Sequence, residues 1–202
     1  MCLTPSNRLT MAFNAASVAA EIVRAEFPGK RVEIIDTRIA ARAQGFIAVQ
    51  AARAAAKGGS LEQVVATARD VRRRVGLVVA VDTLEYLVRR GRVGLAANLL
   101  GSLLQVKPLL TLDEDGAVAC IARRRTKRVA LQYMIGYVAA RTDGHSALQL
   151  AVMQADAPQE AQQLQQLALQ SWPSAEVVVT DFTPVMGGHT GPGLIGLAFY
   201  YE

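Results

Sequence analysis

Aromatic residues are scarce in this sequence and make up only 5% of its 202 positions. The hydrophobic share of 51% is still large enough to bury a sizeable core, which must therefore be built from Ala, Val, Leu and Ile. Single-stranded nucleic acid binds by stacking its bases on aromatic side chains, so this scarcity argues against such a groove despite the net charge of +5. Nucleic acid is therefore not an expected partner.

The sequence also lacks a membrane span, which needs about 18 unbroken apolar residues. Its most apolar stretch, residues 93–112, is interrupted by Asn98, Ser102, Gln105 and Lys107. The first residues show no basic segment followed by an apolar run, so no signal peptide is visible. We therefore expect a cytoplasmic protein that contacts membranes transiently or not at all.

Cysteine and histidine are too few for a disulfide framework or a metal site. Cys2 and Cys120 are the only cysteines, and a reduced, intracellular setting follows as the default. The sequence has no Gly-x-Ser-x-Gly elbow and no phosphate loop ending in Gly-Lys-Ser/Thr. No catalytic constellation emerges, and neither a metal nor a cofactor is expected.

Apolar spacing predicts three helices and one clear strand before residue 76. The helices are expected over residues 10–27, 40–56 and 60–74. The first should turn Phe13, Val18, Ile22 and Val23 to one side, and a capping box of Ser60 and Gln63 should open the third. The strand is expected over residues 32–35, and residues 2–4 can be the end of another. Such a small sheet is not independently stable, so another chain or a missing N-terminal section is expected to complete it.

After residue 76 the pattern predicts six strands with helices between them. The strands are expected over residues 77–81, 107–112, 117–122, 148–153, 176–180 and 194–200, and the turn 113–116 joins the second and third as a hairpin. The helices are expected over residues 83–89, 95–104, 126–140 and 158–172. The fold class is therefore α/β, with a partial parallel domain over residues 1–75 and a mixed or antiparallel six-stranded domain over residues 76–202.

A glycine-rich loop over residues 187–193 carries the strongest functional signal. Glycines let backbone amides approach a ligand closely, and His189 can donate to a carboxylate. An ordinary loop with a solvent-facing histidine is the alternative. The other histidine, His145, is interpreted as part of a surface turn.

Two further segments carry weaker signals. Ser6 and Thr10 lie where a strand passes into a helix, which suits an anion, although simple N-capping is the explanation that the residues alone favour. Basic residues at Arg90, Arg92 and 123–125 can form a docking patch or only a solvated face.

Two specific strings of residues are Val-Asp-Thr-Leu-Glu-Tyr-Leu at residues 81–87 and His-Thr-Gly-Pro-Gly at residues 189–193. Further strings lie at residues 35–37, 43–45, 90–92, 100–104, 107–110 and 123–127. In chain order, along essentially the whole chain, they resemble the DegV family of fatty-acid-binding proteins. Roughly the first quarter of a usual member has no counterpart, so a misplaced start or a true truncation is expected.

The resemblance implies that a long-chain fatty acid lies between two α/β domains and that this chain alone does no chemistry on it. The carboxylate is expected to contact His189, Ser6, Asn7, Thr190 and Gly191. The family's Ser-Ser-x-Leu-Ser-Gly-Thr segment lies over residues 6–12, where Ser6 and Thr10 keep a hydroxyl but Asn7, Met11 and Ala12 depart.

The resemblance also implies a partner, an ATP-dependent fatty acid kinase that makes an acyl phosphate for phospholipid synthesis. The positions expected to face it are Arg92, Arg123, Arg124 and Arg125. Two other functions stay open at this point. One is a hydrolase or acyl-transfer enzyme that uses His189 with a nearby hydroxyl, and the other is a regulatory module whose arginine surface is its main feature.

Overall fold

The computed structural model describes residues 1–94, 106–142, 145 and 147–202. They form two compact units, Met1–Val75 with Glu114–Ala117, and Gly76–Asp113 with Val118–Glu202. The helix predicted over residues 95–104 lies outside the described residues. The α/β class is confirmed, because helices and strands alternate along both units.

The first unit holds a small parallel sheet and three helices. Strand β1 (Cys2–Thr4) pairs with β2 (Ile34–Asp36), and the helices are α1 (Ala12–Glu26), α2 (Ala41–Ala56) and α3 (Leu61–Arg73). The predicted capping box opens α3: the Gln63 N–H donates to Ser60 Oγ at 3.3 Å, and the Ser60 N–H donates to Gln63 Oε1 at 2.8 Å. Helix α3 then buries Val64, Val65, Ala68 and Val71.

The predicted buried face of α1 was wrong. Ala20 is buried and Phe13 and Val23 are partly buried, but Val18 and Ile22 are 58% and 52% exposed. Residue 18 lies five positions after residue 13, which places it well around the helix at 3.6 residues per turn. A sheet of two strands also covers only one narrow side of a helix, so these two side chains stay uncovered in the described part of the chain.

The second unit is built on a six-stranded sheet in the order β5-β4-β3-β8-β6-β7. The strands are β3 (Val75–Ala80), β4 (Lys107–Leu112), β5 (Val118–Arg124), β6 (Leu148–Ala155), β7 (Glu176–Asp181) and β8 (Leu194–Tyr201). Strands β6 and β7 are parallel, whereas the β3–β4, β4–β5 and β6–β8 pairs are antiparallel. The predicted mixed six-stranded sheet, with a hairpin in it, is confirmed.

Helices α4 (Glu85–Arg89), α5 (Lys127–Ala139), α6 (Pro158–Ser171) and α7 (Pro184–Thr190) complete this unit. Its core joins α5 and α6 to the central strands through fully buried side chains such as Met134, Leu164, Leu150 and Leu197. Strand β8 is buried from residue 194 to residue 200, as befits a strand with neighbours on both edges. No helix in the described part of the chain is long and apolar enough to cross a membrane.

The glycine-rich segment differs from its prediction, because most of it is helical. Thr183 caps α7 by accepting from the Met186 N–H at 3.4 Å, and Pro184 occupies the first turn. A capping hydroxyl and a proline at that position both favour helix initiation, which offsets the cost of Gly187 and Gly188 inside the helix. The prediction of a loop was therefore wrong for residues 187–190 and holds only for residues 191–193.

Candidate functional site

His189 lies in the last turn of α7 and begins the His189 loop, which we define as residues 189–193. Thr190 Oγ1 donates to the Met186 carbonyl at 3.0 Å, and the Gly191 N–H donates to the Gly187 carbonyl at 2.8 Å. The Nδ1 atom of His189 is buried and has no hydrogen-bond partner among the described residues. A buried polar atom without a partner costs about 1–3 kcal/mol, so the fold's own hydrogen bonds do not account for this nitrogen.

The other histidine, His145, contrasts with His189 in this respect. Its Nδ1 lies 3.1 Å from the carbonyl oxygen of Glu202, and its ring centroid is 4.2 Å from that of Tyr201. These contacts agree with the interpretation of His145 as an ordinary surface residue. The two histidines therefore form a matched pair for experiments.

Two glycines fix the shape of the His189 loop. Gly191 and Gly193 have φ angles of +78° and +81°, which side chains rarely adopt. A Cβ at Gly191 would lie 2.3 Å from the Tyr86 ring, and one at Gly193 would lie 2.2 Å from Asp82 Oδ2. Both positions thus need glycine for its φ angle and for its lack of a side chain. The two most specific strings of the sequence, at residues 81–87 and 189–193, therefore contact each other.

Charged residues reinforce the same loop. Lys127 Nζ donates to the Gly193 carbonyl and lies 3.3 Å from Asp82 Oδ1, and Lys107 Nζ lies 2.9 Å from the same oxygen. Burial alone raises the pKa of Asp82, but hydrogen bonds and charge from the two lysines outweigh it and hold that pKa below its usual range. Asp82 therefore stays a carboxylate and keeps Lys127 in place over the loop.

Sequence reasoning missed the roles of Asp82 and Lys127. Asp82 and Lys127 were placed only within the strings at residues 81–87 and 123–127. Because Lys127 lies 45 positions from Asp82 in the sequence, no local pattern joins them, and only their shared membership of family strings pointed to them.

The other predicted head-group residues follow β1, in what we call the Ser6 turn (residues 5–10). Ser6 is fully buried, and its Oγ donates to the Gly116 carbonyl at 2.7 Å while accepting from the Arg8 N–H at 3.1 Å. Asn7 is exposed, and its main-chain N–H donates to Asp36 Oδ1 at 3.3 Å. The turn thus follows the carboxyl end of a parallel strand, where α/β proteins commonly bind ligands.

The five predicted head-group residues fall into two groups, according to whether their hydrogen-bond donor is already used within the protein. Ser6, Thr190 and Gly191 each donate their proton to a main-chain carbonyl. Any of these three would have to release that carbonyl before it could donate to a ligand. His189 and Asn7 carry no such commitment on their side chains among the described residues. The side-chain donors of His189 and Asn7 are therefore not used by hydrogen bonds within the described residues, whereas the donors of the other three are.

The predicted arginine patch does not form one surface on β5. Adjacent residues of a strand point to opposite faces, so Arg123 and Arg124 diverge. The Arg124 guanidinium lies 4.3 Å from the centroid of the Tyr133 ring, on the side of α5. Arg92, Arg123 and Arg125 are exposed. Arg124 contacts α5, and the docking role of these four arginines stays a prediction.

No cluster of three or more His, Cys, Asp or Glu side chains able to hold a metal is present in residues 1–94, 106–142, 145 and 147–202. Cys2 and Cys120 are both free thiols.

Comparison with known proteins gives matches to a single family in the family model, the curated relatives and the solved structures described below. The family model described as "Uncharacterised protein, DegV family" matches residues 1–202. A DegV domain-containing protein of Clostridium acetobutylicum is 34% identical over 202 residues, which are all of this chain and 70% of that protein. The chain spans about two thirds of the length of the curated relatives that it matches.

Solved structures show the same fold. A structure described as fatty acid binding of a DegV family protein from Thermus thermophilus superposes with a TM-score of 0.90 and 32% identity, over 99% of this chain and 70% of that one. The Streptococcus pneumoniae Fatty Acid Kinase (Fak) B3 protein, loaded with linoleic acid, superposes with a TM-score of 0.89 over 99% of this chain and 70% of that one. Its identity is 18%, so this second likeness shows the fold alone.

Proposed function

The chain belongs to the DegV family, and from this premise we propose that it binds a long-chain fatty acid and performs no chemistry on it alone. The observation that carries the proposal is His189, whose buried Nδ1 has no partner among the described residues. The loop around it is fixed by Gly191, Gly193 and Asp82. A rigid loop that presents an unsatisfied imidazole suits recognition of a carboxylate.

The energetics of a fatty acid fit this arrangement. Each buried methylene contributes about 0.8 kcal/mol, so the acyl chain supplies most of the affinity. The carboxylate loses its water on binding and must regain donors, or the desolvation penalty cancels that gain. An imidazole N–H of His189 would supply such a donor. The location of the acyl chain between the two domains stays a prediction.

Mass spectrometry of the purified chain under non-denaturing conditions tests the proposal. We expect a bound fatty acid that is released when the protein is unfolded, as a series of acyl lengths rather than one species, because a tail held by apolar contact tolerates variation. A chain that is free of lipid and also takes up none of a series of added fatty acids would contradict the proposal.

A kinase partner is the next part of the proposal. We infer that the bound acid is presented to an ATP-dependent fatty acid kinase for acyl-phosphate formation in phospholipid synthesis, in the cytoplasm. The resemblance to the DegV family supports it. Among the predicted docking residues, Arg92, Arg123 and Arg125 are exposed, whereas Arg124 contacts the Tyr133 ring. We therefore expect Arg92→Ala and Arg125→Ala to weaken kinase binding more than Arg53→Ala, a change at an exposed arginine of α2.

The alternative, a hydrolase or acyl-transfer enzyme, gains no support from the geometry. Such an enzyme would need a hydroxyl nucleophile activated by His189. The neighbouring Thr190 hydroxyl donates instead to the Met186 carbonyl at 3.0 Å. Steady turnover of an acyl ester that disappears in His189→Ala would restore this alternative.

A further inference from the structure

A cleft of about 570 Å³ opens beside β2 in the first unit, and its lining residue Asp36 accepts the Asn7 N–H of the Ser6 turn. We call it the arginine cleft, because its charged lining consists of Arg38, Arg69, Arg72, Arg73, Asp36 and Glu114. Four arginines and two carboxylates thus line the cleft, and Arg73 Nη2 is already paired with Asp70 Oδ1 at 2.7 Å. The lining keeps a net positive charge, and the volume is that of a small-molecule site.

Two neighbouring elements bring the arginines together. Residues 69, 72 and 73 are spaced by three and four positions near the end of α3, so they share one side of that helix, while Val64, Ala68 and Val71 are buried. Arg38 follows β2 directly in a turn with φ of +50°, and Asp36 Oδ1 accepts from its N–H at 2.8 Å. The Asp36 side chain therefore fixes the backbone from which Arg38 projects.

Arg72 occupies the most constrained place in this lining. Its Nη2 donates to the Arg38 carbonyl at 3.3 Å, while its Nε is buried and has no hydrogen-bond partner within the described residues. Burial lowers the pKa of Arg72, and the charge of Arg38 lowers it further, whereas Asp36 and Glu114 oppose both effects. The fold thus holds two like charges near each other and leaves one of their donors unused.

Favourable interaction with the helix dipole does not explain this arrangement. Arginines in the last turn of a helix are stabilised by its negative end, and an exposed side chain is sufficient for that. Arg53 fulfils that role in the last turn of α2 as an exposed residue. The dipole of α3 accounts neither for the partial burial of Arg72 nor for Arg38, which comes from a different element.

We propose that the arginine cleft binds the oxyanion of a phosphate group, either free phosphate or the phosphate of a larger molecule. The guanidinium fork matches two phosphate oxygens at once, and the lining keeps a net positive charge for an anion even after Arg73 has paired with Asp70. The cleft shares no lining residue with the proposed fatty-acid head group, and its test variants avoid Asp36, which accepts the Asn7 N–H, so each proposal can fail without the other. The cleft is larger than a phosphate ion and leaves room for an attached group.

Calorimetric titration of the chain with inorganic phosphate at constant ionic strength tests the proposal. Arg69→Gln and Arg72→Gln should each weaken saturable binding by roughly tenfold, the effect of one lost charge-assisted hydrogen bond. Glu114→Gln should strengthen binding, because it removes a negative charge from the lining. Arg53→Gln removes the same charge as Arg69→Gln from a place outside the cleft and should leave the affinity unchanged. Circular dichroism of each variant checks that the fold is retained.

A second arm separates a free phosphate from a lipid head group. It measures flotation with phosphatidylcholine vesicles that contain phosphatidic acid, against vesicles of phosphatidylcholine alone. Binding to inorganic phosphate that Arg69→Gln weakens supports a free ligand, and binding only to phosphatidic acid vesicles that Arg69→Gln weakens supports a lipid head group. Absence of binding in both arms, or an equal loss in Arg53→Gln, would overturn the proposal.

Discussion

The Ser6 turn and the His189 loop both belong to stretches that resemble family strings, yet they differ in whether their buried polar atoms have hydrogen-bond partners. Ser6 is fully buried and both donates and accepts a hydrogen bond within its own unit. His189 keeps a buried nitrogen without a partner among the described residues, on a loop held from outside by Asp82, Lys127 and Tyr86. A residue's place in a family string thus does not tell whether its polar atoms are used within the fold, whereas an account of its hydrogen bonds does.

The largest expected effect follows from the rigidity of the His189 loop. Gly191→Ala should lower the free energy of unfolding by about 2 kcal/mol or more, because φ of +78° strains any side chain and the Cβ would lie 2.3 Å from the Tyr86 ring. Denaturant unfolding monitored by circular dichroism measures this change. It should also reduce fatty-acid binding, since the loop cannot keep its shape.

Gly187→Ala is the matched control, because it lies in α7 and an added Cβ there would meet no atom within 4 Å outside its own helical turn. Alanine is favoured over glycine inside a helix by up to about 1 kcal/mol, so this variant should be as stable as the wild type or slightly more so. Equal destabilisation by the two changes would show that the loop is not rigid in the way described.

In the Ser6 turn, replacing the buried serine should lower the stability of the protein rather than its affinity for a fatty acid. Ser6→Ala removes one donor and one acceptor from a buried site and should cost about 1–3 kcal/mol of unfolding free energy. Asn7→Ala, at the exposed neighbour, should change stability by less than about 0.5 kcal/mol yet lower fatty-acid affinity. Thermal unfolding and ligand titration of both variants measure the two effects, and a Ser6→Ala protein with unchanged stability would break the contrast.

Asp82 gives a smaller effect that depends on pH. Its pKa is lower in the folded protein than in the unfolded chain, because Lys107 and Lys127 outweigh its burial. Its contribution to stability is therefore complete above the unfolded pKa, about pH 4, and is lost as the pH falls through the folded value. Asp82→Asn should flatten the decline in unfolding free energy below about pH 4. An identical decline in the variant would mean that Asp82 does not hold the loop.

Local signals in the sequence predicted much of the fold. The capping box of Ser60 and Gln63 and the hairpin turn at residues 113–116 both formed, because each depends on residues only a few positions apart. The Thr183-Pro184 pair is an equally local helix start, and it was overlooked beside the glycines that follow it. Glycine content alone thus predicted a loop where a capped helix forms.

The site was less predictable, since its residues meet only through the tertiary fold. Family strings identified His189 and the glycines of its loop, but not the contacts of Asp82 with Gly193 and Lys127. Sequence also could not show that the hydroxyls of Ser6 and Thr190 donate to main-chain carbonyls. Those bonds depend on where Gly116 and Met186 lie, and they decide which residues keep a donor for a ligand.

Fatty-acid titration of His189→Ala beside His145→Ala is the most direct test of the central claim. Loss of a hydrogen bond to a charged carboxylate costs about 1.5–3 kcal/mol, so His189→Ala should weaken binding by roughly tenfold or more. His145 already contacts Glu202 and Tyr201, and its replacement should leave the affinity unchanged. Wild-type affinity in His189→Ala, or the same loss in both variants, would contradict the assignment of this imidazole to the fatty-acid head group.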